Sequence, residues 1–277
     1  MSWKESLLQM LRDDVGRGDI TSKAIFPKGF RVKGAAIAGE PGIASGLMEA
    51  KWLFEQRGLK VSLKAEDGKS FRRGATLLEV SGDAIRLFEA ERTALNIIGR
   101  MSGIATGTAE AAAIVRRAGG KAKIAATRKT VLRWFDKKAV VAGGGFPHRL
   151  GLYDAILVKT SHVRLAGGVC EALQRVRRKA PGKRIEVEVC DAGEAIEAAQ
   201  CGANTIMLDN FPHSEIARAF KILNAAGLRS KVRVELSGGI TMRNLGRYAK
   251  YGADLISMGS LTHSPKWLQV SMRTKAL

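Results

Sequence analysis

No stretch of this sequence holds the roughly 20 consecutive apolar residues that a membrane-spanning helix requires, which argues against a helical membrane protein. The opening Met1-Ser2-Trp3-Lys4-Glu5-Ser6 lacks the apolar core of a secretory signal. Cysteine is scarce. Cys170, Cys190 and Cys201 are odd in number and show no paired metal-ligand spacing, so three reduced, partly buried thiols in a cytoplasmic protein are expected. Acidic residues are also short: 26 Asp and Glu stand against 46 Lys and Arg, a net charge of +20. Such an imbalance points to nucleic acid, an acidic membrane surface or strongly anionic small substrates. Yet there is no Lys/Arg tail and no basic stretch interleaved with aromatics. The short clusters Arg72-Arg73, Arg116-Arg117 and Arg175 to Lys179 read as solvated helix or turn faces, so nucleic-acid binding ranks behind small anions.

What is present is an ordinary globular composition, 45% hydrophobic and 26% charged, over 277 residues. That length supports one large core or two moderate ones. Leu7, Leu8 and Leu11 give Glu5 to Asp14 helical spacing, and a glycine-punctuated loop follows from Asp14 to Ser22. Val32 to Ile37, Val61 to Leu63 and Ala75 to Ser81 read as strands, and Leu47 to Gln56 as a helix, together a small α+β domain. Ala84 to Ala118 is strongly helical, with an apolar stripe of Leu87, Ala90, Leu95, Ile98 and Met101. A boundary near residue 105 gives two domains, 1–105 and 106–277, with the last residues free to return to the first.

From Lys121 onward short apolar strands alternate with helical segments. The strands are Ala122 to Ala126, Ala155 to Val158, Ile185 to Val189, Thr205 to Leu208, Val232 to Leu236 and Leu255 to Met258. Helices are expected near 168–180, 192–201, 214–226 and 242–251. This alternation implies parallel strands joined by right-handed crossovers. Six strands fall short of eight, so an incomplete, open α/β barrel follows.

Residues 143 to 159 are the centre of this arrangement. Gly143-Gly144-Gly145 permits a tight turn, Pro147 stiffens the chain, His148 and Arg149 are adjacent cations, and a buried strand ends abruptly at Lys159. The other strand ends repeat the theme. Thr127-Arg128-Lys129-Thr130 follows the first strand, Glu186 and Glu188 share one face of the third, and Asp209-Asn210 closes the fourth. Ser237-Gly238-Gly239 closes the fifth and Gly259-Ser260 the sixth. In α/β barrels ligands bind where such strand ends converge. Arg128, Lys129, His148, Arg149 and Lys159 would serve an anion of several charges. Glu188 and Asp209 suit a hard cation such as Mg²⁺ or sugar hydroxyls, and the glycine-containing ends suit phosphate. The sum is a site for a phosphorylated sugar beside an anionic second substrate. Arg92, read alone, is either a surface helix cation or a site residue.

At these residues the chain resembles the quinolinate phosphoribosyltransferase family. The likeness runs through Gly16-Arg-Gly-Asp-Ile-Thr-Ser22, Glu91-Arg-Thr-Ala-Leu-Asn96, Ser102-Gly-Ile-Ala-Thr106, Thr127 to Thr130, Gly143 to Lys159, Glu186 to Val189, Leu208-Asp-Asn210, Ser237 to Ile240 and Gly259 to Ser264. The resemblance implies an N-terminal α/β sandwich, an incomplete α/β barrel, and a dimer whose sites are shared between subunits. It implies the joining of quinolinate to phosphoribosyl pyrophosphate with Mg²⁺, releasing pyrophosphate and carbon dioxide and leaving nicotinate mononucleotide for NAD biosynthesis. By the same resemblance Arg128, Lys129, His148 and Arg149 bind the acceptor, Thr127 is a further substrate-binding residue, and Arg92 reaches into the neighbouring subunit's site. Lys159, Glu188 and Asp209 handle the ribosyl pyrophosphate, with Glu188 and Asp209 on the metal. Ser237, Gly238, Gly239, Gly259 and Ser260 hold the 5′-phosphate. The chain departs from the family pattern at Ala126, Pro147, Thr160, Ser161, Cys190 and Asp191. Proline before His-Arg is similar to a ModD-like branch associated with molybdate transport, so another anionic aromatic acceptor is the alternative.

Overall fold

The computed structural model describes residues 2–277. In chain order its elements are α1 (Trp3–Val15), α2 (Ile20–Ile25), β1 (Arg31–Ala38), β2 (Gly42–Ile43), α3 (Leu47–Gln56), β3 (Lys60–Leu63), β4 (Ser70–Phe71), β5 (Thr76–Asp83) and α4 (Ala84–Arg117). There follow β6 (Lys123–Ala125), α5 (Arg133–Ala142), β7 (Ile156–Val158), α6 (Thr160–Ala166), α7 (Val169–Lys179), β8 (Ile185–Val189), α8 (Ala192–Gln200), β9 (Thr205–Asp209) and α9 (His213–Ala225). The chain ends with β10 (Arg233–Ser237), α10 (Leu245–Tyr248), β11 (Leu255–Ser257), α11 (Ser260–His263) and β12 (Val270–Ala276).

The chain divides into two compact units. The first holds residues up to Ala109, Thr130–Gly144 and Ser264–Leu277, and the second holds Glu110–Lys129 and Gly145–His263. Position 105 therefore lies inside a helix, α4, that runs unbroken for 34 residues.

In the first unit a four-stranded antiparallel sheet has the order β12-β1-β5-β3, and β2 pairs with β4. The alternating burial of β1 turns Val32, Ala36 and Ala38 toward the core, where Leu53, Phe54, Leu78 and Leu87 are also buried. Helix α5 belongs to this unit for identifiable reasons. Trp134 stacks on Trp3 at 5.2 Å between ring centroids, and Lys138 Nζ reaches Glu49 at 2.6 Å. Asp136, fully buried, takes a two-pronged ion pair from Arg100 at 2.7 and 2.8 Å. The expected loop from Asp14 to Ser22 gives way at Ile20 to α2, because Asp19 caps that helix by accepting from the Thr21 and Ser22 amides.

The second unit is a six-stranded parallel sheet in the order β6-β11-β10-β9-β8-β7. Ile185, Val187 and Val189 of β8 face the helix layer, as do Val234 and Leu236 of β10; all are buried. They pack with Ala195 and Ala198 of α8 and Ile216, Ala219 and Leu223 of α9 in one core, where truncating one such leucine or isoleucine costs about 2–5 kcal/mol. Alternation leaves Glu186, Glu188, Glu235 and Ser237 on the other face. The three-thiol expectation is corrected here. Cys170 at the start of α7 and Cys201 after α8 are bonded as a disulfide, with Cα atoms 5.4 Å apart, and Cys190 alone is free and exposed.

Candidate active site

A cavity of about 440 Å³ opens at the C-terminal ends of the second unit's strands. Thr127, Arg128 and Lys129 follow β6, and His148 and Arg149 precede β7. Lys159 follows β7, Glu188 lies in β8, Asp209 ends β9, and Ser237 and Ser257 end β10 and β11. The two edge strands, β6 and β7, contribute to the same cavity. That requires the sheet to curl like a barrel short of closure.

Nine of the sequence-derived site residues line this cavity, Thr127, Arg128, Lys129, His148, Arg149, Lys159, Glu188, Asp209 and Ser237, and so does Ala126, one of the departures from the family pattern. Gly238, Gly239, Gly259 and Ser260 do not line it but continue directly from lining strands. Gly238 and Gly239 both have positive φ, +97° and +59°. A Cβ on Gly238 would meet the Asn210 amide nitrogen at 2.5 Å, so only glycine fits there. Asn210 itself donates its backbone N–H to the Ser237 carbonyl at 2.9 Å and its side-chain amide to Asp209 at 2.6 Å. The ends of β9 and β10 are thus tied together. Arg92 is exposed on α4 in the first unit.

Glu235 and Ser257 lie in the cavity wall and were missed by the sequence reasoning. Glu235 is fully buried and accepts a short hydrogen bond from the Ser257 hydroxyl. The imidazole Nε2 of His148 stands 3.4 Å from Glu186 and 3.3 Å from Glu235. His148 adopts a left-handed backbone, φ +54°, which a non-glycine residue holds only where its surroundings fix it. Desolvation of the ring opposes its charge, but hydrogen bonding and attraction from Glu186 and then Glu235 win, and its pKa is pushed up to about 9. The Arg149 amide donates to Nδ1 at 3.0 Å, which favours the neutral ring. Charging the ring gives up that bond, worth about 1 kcal/mol, which is less than two close buried carboxylates contribute, so the balance favours the charged ring. Burial, countered in part by His148 and reinforced by Glu235, raises the Glu186 carboxyl above its usual range.

The same cavity wall holds two arginines, and Glu186 offsets only part of the charge on Arg149. Burial and the neighbouring Arg128 guanidinium hold the Arg149 pKa below its ordinary value, and Arg128 Nε is buried with no hydrogen-bond partner. Two adjacent arginines in that state call for an anion with at least two negative charges. Glu188 and Asp209 in the same wall offer carboxylate oxygens, the ligand type a hard divalent cation takes. Glu188 Oε1 is oriented by the Thr160 hydroxyl at 3.2 Å.

Thr160 and Asp191, two departures from the family pattern, thereby have local tasks. Thr160 supports Glu188, and Asp191 caps α8 by accepting from the Glu194 amide at 2.8 Å.

The family model described as quinolinate phosphoribosyl transferase, C-terminal domain, matches residues 104–273, and its N-terminal counterpart matches 19–102. A probable nicotinate-nucleotide pyrophosphorylase [carboxylating] of Methanothermobacter thermautotrophicus is 37% identical over 97% of this chain and 98% of its own length. The nicotinate-nucleotide pyrophosphorylase [carboxylating] of Mycobacterium leprae is 39% identical over 97% of this chain and 96% of its own. The crystal structure of NadC from Streptococcus pyogenes superimposes with a TM-score of 0.90 at 35% identity, covering 99% of this chain and 96% of that one.

Proposed function

The chain belongs to the quinolinate phosphoribosyl transferase family, and from that premise and the cavity's charge pattern we infer that it converts quinolinate and phosphoribosyl pyrophosphate to nicotinate mononucleotide, pyrophosphate and carbon dioxide. The observation that carries the reading is the pairing of Arg128 with Arg149 in the same cavity wall as His148. The two guanidiniums present two positive charges to an acceptor bearing two carboxylates, while Glu186 and Glu235 hold the His148 ring next to them.

The pyridine nitrogen of quinolinate attacks the ribose carbon, and the bond from that carbon to pyrophosphate breaks. No protein nucleophile is required. The carboxylate beside the ring nitrogen then leaves as carbon dioxide, and its electron pair, left on the ring carbon, takes up a proton. Arg128, Arg149, His148, Lys129 and Thr127 would bind and orient the acceptor. Lys159 would face the pyrophosphate, and Ser237, Gly238, Gly239, Gly259 and Ser260 the 5′-phosphate. Glu188 and Asp209 would hold Mg²⁺, which when bound neutralises charge building on pyrophosphate. These carboxylates would also face the ribose, where positive charge develops.

The test is direct. Purified protein with quinolinate, phosphoribosyl pyrophosphate and Mg²⁺ should release nicotinate mononucleotide and pyrophosphate together. Absence of product across pH and metal would sink the reading, and turnover of another pyridine or aromatic carboxylate in its place would favour the ModD-like alternative.

A cytoplasmic homodimer is part of the same proposal, with Arg92 completing the partner's site. Arg92→Ala and Lys159→Ala proteins, each inactive alone, should recover up to about a quarter of normal activity when mixed, from site counting in hybrid dimers. No recovery despite demonstrated subunit exchange would remove Arg92 from the site.

A further inference from the structure

A second cavity of the same unit lies at the opposite end of the same strands. Its volume is about 720 Å³, against about 440 Å³ for the first. Lys123, Arg233 and Leu255, the first residues of β6, β10 and β11, line it, with Lys121, Lys250 and Phe146. The last residues of β10 and β11, Ser237 and Ser257, line the first cavity. Five residues of β10 separate the two by about 13 Å.

Charge in the second cavity is one-sided. Lys121, Lys123, Arg233 and Lys250 are all exposed around it, and among the described residues none has a recorded side-chain hydrogen bond or ion pair. The one carboxylate in the wall, Asp254, is already engaged. It accepts from Arg229 at 2.9 Å and from the Val234 amide at 2.8 Å. Four like charges around one concavity repel each other and raise the local concentration of anions.

The wall also offers an aromatic face. Phe146 is 37% exposed, yet its backbone is anchored on both sides. Its N–H donates to Ile124 at 2.8 Å, and its carbonyl accepts from Ala126 at 2.9 Å. A ring presented by fixed backbone can stack on a base at little entropic cost. The volume falls in the range of small-ligand pockets, roughly 300–1,000 Å³, whereas a nucleic-acid strand needs an open basic groove that tracks its backbone.

We propose that this cavity is a second ligand site, which takes a nucleoside polyphosphate with its phosphates on Lys121, Lys123, Arg233 and Lys250 and its base against Phe146. The site is joined to the first cavity by the chain itself. Phe146 lies two residues before His148, with only Pro147 between, and the two rings are 6.1 Å apart. A ligand that moves Phe146 therefore acts on His148, a consequence that rests on the phosphoribosyl transfer reading; binding itself does not.

Equilibrium dialysis with ATP at low salt tests the site without turnover, so the two readings fail separately. The wild type should bind ATP in two classes, because polyphosphate also enters the strand C-terminal cavity. Arg233→Glu/Lys250→Glu should weaken one class by roughly tenfold or more while keeping kcat and its circular-dichroism spectrum. Lys159→Ala should weaken the other class, and Phe146→Ala should weaken ATP but not tripolyphosphate. Identical binding by wild type and the double charge reversal, or no saturable ATP binding, overturns the proposal. So does loss of single-stranded oligonucleotide binding in the double variant with ATP binding untouched. Equal affinity for ATP and tripolyphosphate overturns the role of Phe146.

Discussion

Replacing Glu235 by glutamine tests whether the protein itself makes the charge on His148. The pKa of about 9, against an ordinary 6.5, corresponds to about 3 kcal/mol in favour of the charged ring. This is a net value, left after burial has worked against it. Two carboxylates at 3.4 and 3.3 Å supply the gain, and at an effective dielectric near 20 a pair at that distance is bounded by about 5 kcal/mol. Removing one leaves the burial penalty whole and roughly halves the attraction, so the ring should titrate at roughly 7. Glutamine keeps an oxygen for the Ser257 hydroxyl, so the change removes charge with little change of shape. The assay is kcat/KM for quinolinate against pH. The wild-type value should fall as pH passes about 9, and the variant's should fall near neutrality through a rising KM. Stability should follow the same sign. A raised folded-state pKa contributes fully below pH 6.5 and is lost as pH rises through about 9, so urea unfolding should show the wild type losing about 3 kcal/mol across that window. The variant should show much less. An alkaline limb that does not move between the two proteins would refute the reasoning.

Arg128→Ala should raise the acceptor KM at least ~100-fold, about 3 kcal/mol, by leaving a substrate carboxylate unpaired, with an unchanged circular-dichroism spectrum. Gly238→Ala should raise KM for phosphoribosyl pyrophosphate and destabilise the fold by about 1–3 kcal/mol, because the residue sits at φ +97° against the Asn210 backbone. Asp136→Ala should cost about 3–5 kcal/mol in urea unfolding, since it strips Arg100 of both prongs of a buried ion pair.

The strand ends were legible because hydrophobic periodicity and polar punctuation coincide there. Ile185-Glu-Val-Glu-Val189 announces by alternation that both glutamates share a face, and they do. The same parity in Val234-Glu-Leu-Ser237 places Glu235 beside Ser237, so its role could have been read from a carboxylate in the middle of an apolar run. Other features depend on partners far away in sequence. The strand β12 is mostly exposed and carries Arg273 and Lys275, and it forms only because it pairs with β1 some 240 residues earlier. Helix α5 has no side-chain cap, and its place is set by Arg100, Glu49 and Trp3. Cys170 and Cys201 lie 31 residues apart, and the packing of α7 against α8 brings them within bonding range.

Arg128 and Arg149 bear on how long a molecule of this protein survives as well as on what it binds. Two guanidiniums held side by side repel each other in every molecule that lacks a ligand. An anion that settles between them removes that burden and stabilises the native state through binding, by about 2.7 kcal/mol at a hundred times its Kd. The fraction of chains open to proteases falls by about the same factor of a hundred. Supply of the anion should therefore lengthen the life of each copy, which limited proteolysis with and without the ligand would measure.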